Sequence, residues 1–256
     1  MPLPMPLPSP LPPDAAAAIE ITLDEKASSH IRVLRLDEND EITLFDGGGG
    51  EFSASIITVG KREVRVRLLA HHAIERESSL HITLVQALAT GDKMDWIIQK
   101  ATELGVAVIQ PIQSQRATAK LNLERAEKRA AHWQGVAIAA CEQCGRNRVP
   151  TVLPVMDFAD WIARPSEVSS DIPRLLLYPD ASASWAVRIN NPSASAESVA
   201  SIVLVIGPEG GFTPDEIAAA VRHGVETVRF GPRVLRTETA GIAAIAALQA
   251  KFGDLA

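Results

Sequence analysis

The sequence predicts an α/β protein: a mostly parallel sheet with helices on both faces, preceded by a small β-domain. Three observations carry this. Segments of alternating apolar and polar residues fill the stretch from about 14 to 76. From His81 onward, near-continuous apolar strands alternate with amphipathic helices, the pattern of a parallel sheet covered on both sides. And 256 residues, 46% hydrophobic and 22% charged, suffice for a sizeable core.

The first thirteen residues, MPLPMPLPSPLPP, carry proline at nearly every second position and read as a partly polyproline tail without the basic start and continuous apolar stretch of a secretory signal. The β-domain, 14–76, follows as a small barrel or sandwich. Ile19, Ile21 and Leu23 open it; Ile42 and Leu44, then Phe52, Ala54 and Ile56, then Val64, Val66 and Leu68 continue the period of two. Asp46 and Gly47 to Gly50 make the turn between the second and third strands, where positive φ costs glycine nothing. With Val64, Val66 and Leu68 inward, Arg65 and Arg67 point outward.

The α/β domain, 80–256, begins with the strand HITLVQAL. Met94, Ile97, Ile98, Ala101 and Leu104 then share one helix face before Gly105 ends it. The strand VIQPI, a helix over 122–144, strands at 174–178 and 202–206, a helix from Pro214, a strand at 225–230 and a helix from Thr237 complete the series. Residues 165–173 and 190–201 read as surface loops. The last helix places Ile242, Ile245 and Leu248 along one side among alanines, a surface for core packing or for a second copy of the chain.

No apolar run approaches the roughly 20 residues that cross a bilayer. Cys141 and Cys144 are too few for a disulfide framework and lack the second ligand pair of a zinc site, which predicts a cytoplasmic protein without a metal. The net charge of −6 gives no general attraction to phosphate, so nucleic-acid contact requires a local patch. Between Arg116 and Arg148 seven basic residues face three acidic ones, and Arg32, Arg35, Arg65 and Arg67 extend the track onto the β-domain.

The sharpest chemical signal is Gly207-Pro208-Glu209-Gly210-Gly211, directly after an apolar strand and directly before Thr213-Pro214-Asp215-Glu216, which reads as an N-cap, a first-turn proline and a capping box. Glycines at the carboxyl end of a strand let backbone N–H groups approach a ligand. No GxGxxG and no P-loop is present. A second loop of this kind, Gly231-Pro232-Arg233-Val234-Leu235-Arg236-Thr237-Glu238-Thr239, precedes the last helix.

IGPEGGFTPDE and FGPRVLRTETA resemble the knot motifs of the SPOUT superfamily of trefoil-knotted methyltransferases. KMDWIIQKATELGV at 93–106, CEQCGRNRVP at 141–150 and HIRVLRL at 30–36 further resemble the RsmE family of 16S ribosomal RNA uridine-N3 methyltransferases. The resemblance implies a PUA-like, RNA-binding β-barrel and a knotted α/β domain that holds S-adenosylmethionine between three loops. Those loops correspond to Leu177 and Tyr178; Gly207, Pro208, Gly210 and Gly211; and Gly231, Leu235 and Thr239. It also implies a homodimer acting on 16S ribosomal RNA or the small ribosomal subunit. Glu209, Glu238 and Glu142 are the motif carboxylates for accepting the uracil imide proton or orienting the base, with Arg236 beside them. Lys93, Lys100, Arg32, Arg35, Arg116, Arg146 and Arg148 are the expected RNA contacts. A knotted methyltransferase for transfer RNA or ribose oxygen, and a non-catalytic RNA-binding module, are the rival readings.

Overall fold

The computed structural model describes residues 1, 19–117, 120–164, 172–190 and 200–255. The proline-rich tail and most of the two expected surface loops lie outside them. The chain forms two compact units, and the first is discontinuous: residues 1–77 are joined by 141–149.

In the first unit, β1 (Glu20–Thr22), β2 (Glu41–Leu44), β3 (Glu51–Val59) and β4 (Val64–His72) make one antiparallel sheet in the order β1-β4-β3-β2. Leu44 pairs with Phe52 across the glycine turn, where Gly47, Gly49 and Gly50 adopt positive φ. Phe52, Ala54, Ile56, Val64, Val66 and Leu68 point inward. The all-β expectation needs one correction. A helix, α1 (Glu25–Val33), covers this core with Ala27 and Ile31, started by Asp24, whose carboxylate accepts the Ala27 N–H at 2.7 Å.

Residues 141–149 are fastened to 74–77 within this unit. Arg146 forks onto Glu77, Arg148 onto Glu75 at 2.9 and 3.0 Å, and the Asn147 amide donates to the Ile74 carbonyl. Arg76 pairs with Glu51 and donates to the Gly145 carbonyl at 3.2 Å.

The second unit contains β5 (His81–Ala87), α2 (Lys93–Glu103), β6 (Val106–Gln113), the helix α3 (Leu123–Cys144) up to Ala140, β7 (Thr151–Val152), β8 (Met156–Asp157), α4 (Phe158–Ala163), β9 (Arg174–Leu177), α5 (Trp185–Asn190), β10 (Ser201–Ile206), α6 (Pro214–Arg222), β11 (Glu226–Val228) and α7 (Thr237–Phe252). Its strands are parallel, in the order β11-β9-β10-β5-β6-β7, with β8 also on β6. Period-two alternation splits the layers. Val85, Val203 and Val205 pack in the core that holds Phe158 and Ile162 of α4 and Ala220 of α6. Leu84 and Ile206 face Gly241 of α7 on the other side. The connection leaving β5 runs to β6 on one side and the connection leaving β10 runs past β9 to β11 on the other, so β5 and β10 flank the switch point, where such sheets open a crevice at the strands' carboxyl ends.

Ile245, expected to be available to a second copy of the chain, is fully buried in its own. Core packing takes it together with Ala244 and Leu248, whereas Ile242, Ala243 and Ala246 stay half-buried on the helix's outer side.

Candidate active site

Three loops at the carboxyl ends of β9, β10 and β11 line a cleft of ≈ 1160 Å³. The middle loop is held at both ends. After it, Thr213 and Glu216 form the complete capping box: the Thr213 hydroxyl accepts the Glu216 N–H at 3.2 Å, and the Glu216 carboxylate accepts the Thr213 N–H at 2.7 Å. Before it, the Gly207 carbonyl accepts the Thr237 hydroxyl at 2.6 Å, and that hydroxyl accepts the buried Gln86 amide at 2.9 Å. The loop between is shaped for close approach. A Cβ on Gly207 would lie 3.2 Å from the Phe212 ring and one on Gly210 3.3 Å from Arg116 Cβ. Gly211 (φ 66°) and Gly231 (φ 76°) sit in the left-handed region with open space where a side chain would stand.

Of the cofactor residues expected from sequence, Leu177, Tyr178, Gly207, Pro208, Gly210, Gly211, Gly231 and Leu235 line the cleft. Thr239 does not; it is exposed on the first turn of α7.

The charged residues are organised differently from expectation. Lys93, foreseen as an RNA contact, lines the cleft and bridges two carboxylates, with Nζ 2.9 Å from Glu209 and 3.5 Å from Glu238. These neighbours raise its pKa, chiefly through the Glu209 hydrogen bond. Glu209 also accepts the Thr90 N–H at 3.0 Å and the Thr90 hydroxyl at 2.7 Å, both on the oxygen that meets Lys93. Burial raises the Glu209 carboxyl, but the Thr90 and Lys93 hydrogen bonds outweigh it and bring the pKa down to about 2. Such a carboxylate is a poor proton acceptor. It ties the glycine loop to the start of α2, and this tie, fully present above the ordinary carboxylate pKa, is lost only as pH falls through about 2. Glu238, foreseen as a base-orienting carboxylate, is not among the residues lining the cleft; its buried Oε2 meets Lys93 Nζ at 3.5 Å. Thr90 carries no motif and was missed; the signal for it was its place between an apolar strand and the helix start.

With this geometry established, known proteins give it a family. A family model for an RNA methyltransferase domain matches residues 76–249, and one for an RNA methyltransferase PUA domain matches 23–69. Ribosomal RNA small subunit methyltransferase E from Buchnera aphidicola (Schizaphis graminum) is 34% identical over 92% of this chain and 92% of its own length. The chain belongs to the RsmE family of RNA methyltransferases. The Bacillus subtilis member is 32% identical, covering 88% of this chain and 87% of its own. The Neisseria gonorrhoeae member, crystallised with S-adenosylmethionine, superposes with a TM-score of 0.84 at 39% identity over 93% of this chain and 94% of its own.

Within this RsmE-family chain, several expected site residues stand elsewhere. Glu142 belongs to the first unit and is not among the residues lining the cleft. Arg146 is only 5% exposed and forked onto Glu77, so it stabilises the first unit and does not offer itself to phosphate. Arg148 is exposed but paired with Glu75, Lys100 pairs with Glu103 at 2.8 Å, and Arg65 and Arg67 share Glu20. Arg32 donates to the Gly60 carbonyl at 3.2 Å, and Arg35 is an exposed turn residue with φ 56°. Arg116 and Arg236 line the cleft; Arg116 donates to the Gly210 and Phe212 carbonyls at 3.2 and 3.5 Å and has no carboxylate partner among the described residues.

The two cysteine thiols act locally: Cys141 donates to the Arg148 carbonyl at 3.7 Å and Cys144 to the Cys141 carbonyl at 3.9 Å. Burial pushes the Cys141 thiol up to about 12. Because the thiolate is the nucleophile, iodoacetamide at pH 8 is expected to leave Cys141 unmodified in the native protein while labelling it fully in urea. Peptide mass mapping reads the outcome; equal labelling in both states would contradict the buried thiol.

Proposed function

We propose that this chain transfers the methyl group of S-adenosylmethionine to N3 of a uridine in 16S ribosomal RNA. The observation that carries this reading is the glycine-lined cleft at the sheet's switch point. Its open space at Gly211 and Gly231 fits a ligand approached by backbone, and a relative 39% identical binds S-adenosylmethionine. The residues that would hold the cofactor are Leu177 and Tyr178, the Gly207–Gly211 loop, and Gly231 and Leu235. The cofactor supplies an electrophilic sulfonium methyl. What remains for the chain is to align the uracil nitrogen with it, exclude water, and receive the imide proton. Glu209 anchors the loop. Glu238 does not line the cleft; it meets Lys93 at 3.5 Å, and we assign it to holding that lysine in place.

The return of the chain from β11 past Gly207 into α7 is read as the trefoil crossing, supported by the Thr237–Gly207 bond and the strand order. The chain acts in the cytoplasm as a homodimer joined through Ile242, Ala243 and Ala246 of α7. Ile242→Asp would place a charge in that apolar contact and is expected to shift sedimentation from dimer to monomer with the fold retained. A native chain that sediments as a monomer at micromolar concentration would remove the dimer from the reading.

Nucleoside mapping by mass spectrometry tests the reaction. Ribosomal RNA from cells lacking the protein should lose one N3-methyluridine from 16S RNA and regain it on complementation. An unchanged N3-methyluridine content would overturn the proposed specificity.

A further inference from the structure

The ion pairs determine where positive charge is left over. Arg146, Arg148, Lys100, Arg65 and Arg67, all plausible phosphate ligands by sequence, are matched by carboxylates. The rim of the cleft is different. Arg229, Arg233 and Arg236 all line it, all are exposed, and among the described residues none of their side chains has an acidic or hydrogen-bonding partner. Arg116 adds a fourth guanidinium, whose hydrogen bonds among the described residues are to carbonyls. Against them the lining offers two carboxylates, Asp180 and Glu209, and Glu209 is occupied by Lys93 and Thr90. A chain of net charge −6 thus concentrates uncompensated cations around one cavity.

The main chain presents Arg229 from a fixed base. Arg229 N–H donates to the Ala183 carbonyl at 2.8 Å, Trp185 N–H donates to the Arg229 carbonyl at 3.1 Å, and Phe230 packs edge-on against the Trp185 ring with centroids 4.9 Å apart. Between Arg233 and Arg236 stands Val234, 80% exposed. The cleft, at ≈ 1160 Å³, also exceeds the roughly 300–1,000 Å³ typical of a small-molecule pocket, which leaves room for a nucleotide beside a cofactor.

We propose that Arg229, Arg233 and Arg236 form a clamp for the RNA strand, binding the phosphates that flank the target nucleotide, with Val234 making apolar contact with a neighbouring base. The inference rests on the methyltransferase reading of the cleft and names the part of it that holds RNA. Guanidinium groups suit this task because their planar forks bind phosphate oxygens in pairs. Clamping on both sides would hold the strand while the base enters the cleft.

The test uses the full chain and a single-stranded oligonucleotide of small-subunit ribosomal RNA, with affinity measured against salt by fluorescence anisotropy and S-adenosylmethionine affinity measured by calorimetry. Each phosphate contact contributes about 0.7 to the slope of log affinity against log salt for single strands. The pair Arg229→Gln and Arg233→Gln should therefore flatten the slope by about 1.4 while S-adenosylmethionine still binds. The pair Arg229→Lys and Arg233→Lys, which keeps the charge, should retain most of the slope. Native RNA affinity and slope in the glutamine variant would overturn the clamp, as would loss of S-adenosylmethionine affinity in the lysine variant, which would place these arginines on the cofactor. Failure of the native chain to bind S-adenosylmethionine would instead overturn the functional reading beneath it.

Discussion

Glu77→Ala is expected to destabilise the first unit by about 3 kcal/mol, because it strands the buried Arg146 guanidinium without its carboxylate. In thermal unfolding this should appear as a fall of roughly 10–20 °C in the transition of a unit of this size. The cause is desolvation. Arg146 has a side chain only 6% exposed, and the fork onto Glu77 is the ion pair that offsets much of the cost of removing its charge from water. The double variant Glu77→Leu with Arg146→Met removes both charges together and should recover most of the loss, since apolar replacement of a whole buried pair is often neutral. Equal instability of single and double variants would mean that packing, and not the uncompensated charge, sets the cost.

Gly211→Val is expected to weaken S-adenosylmethionine binding by about ten- to a hundredfold and lower the melting temperature by only several degrees. At φ 66° a β-branched residue is a backbone outlier, costing about 1–3 kcal/mol. The cheapest relief is for the Pro208–Phe212 loop to move, which spoils its fit to a ligand. The γ-methyls would also project into open cleft space. Gly211→Asn, which tolerates the left-handed region, should retain more affinity than valine. Gly210→Val tests space without the φ penalty, because its Cβ would meet Arg116 at 3.3 Å. Calorimetry reads all three, and native affinity in a folded Gly211→Val variant would remove this loop from the cofactor site.

The architecture was largely legible because its determinants are local. Strand alternation around Phe52 to Ile56 and the capping box at Thr213 and Glu216 depend on neighbours within a few residues, and both occur as expected. The helix Glu25–Val33 was missed because its buried face is short, with Ala27 and Ile31 as its apolar members, and because its N-cap signal is a single aspartate. Charge was the least legible property. Arg146 and Glu77 are 69 positions apart, and Lys93 and Glu209 are 116 apart. Counting basic residues along the sequence therefore could not tell which ones already had partners. The same limit applies to Ile245 and Ile242, which share a helix but differ in how far the chain's own core covers them.

The polar line from Gln86 through Thr237 to the Gly207 carbonyl has a thermodynamic consequence. It welds the first turn of α7 to the ligand loop, and the same helix carries the face assigned to subunit association. Two binding events then act on one rigid element. Reciprocity requires that whatever factor occupancy adds to self-association, self-association returns to occupancy. For the proposed dimer, occupancy that favours association would mean that dilution below its dissociation constant lowers ligand affinity with no residue changed, and that saturating ligand lowers the concentration at which protomers part.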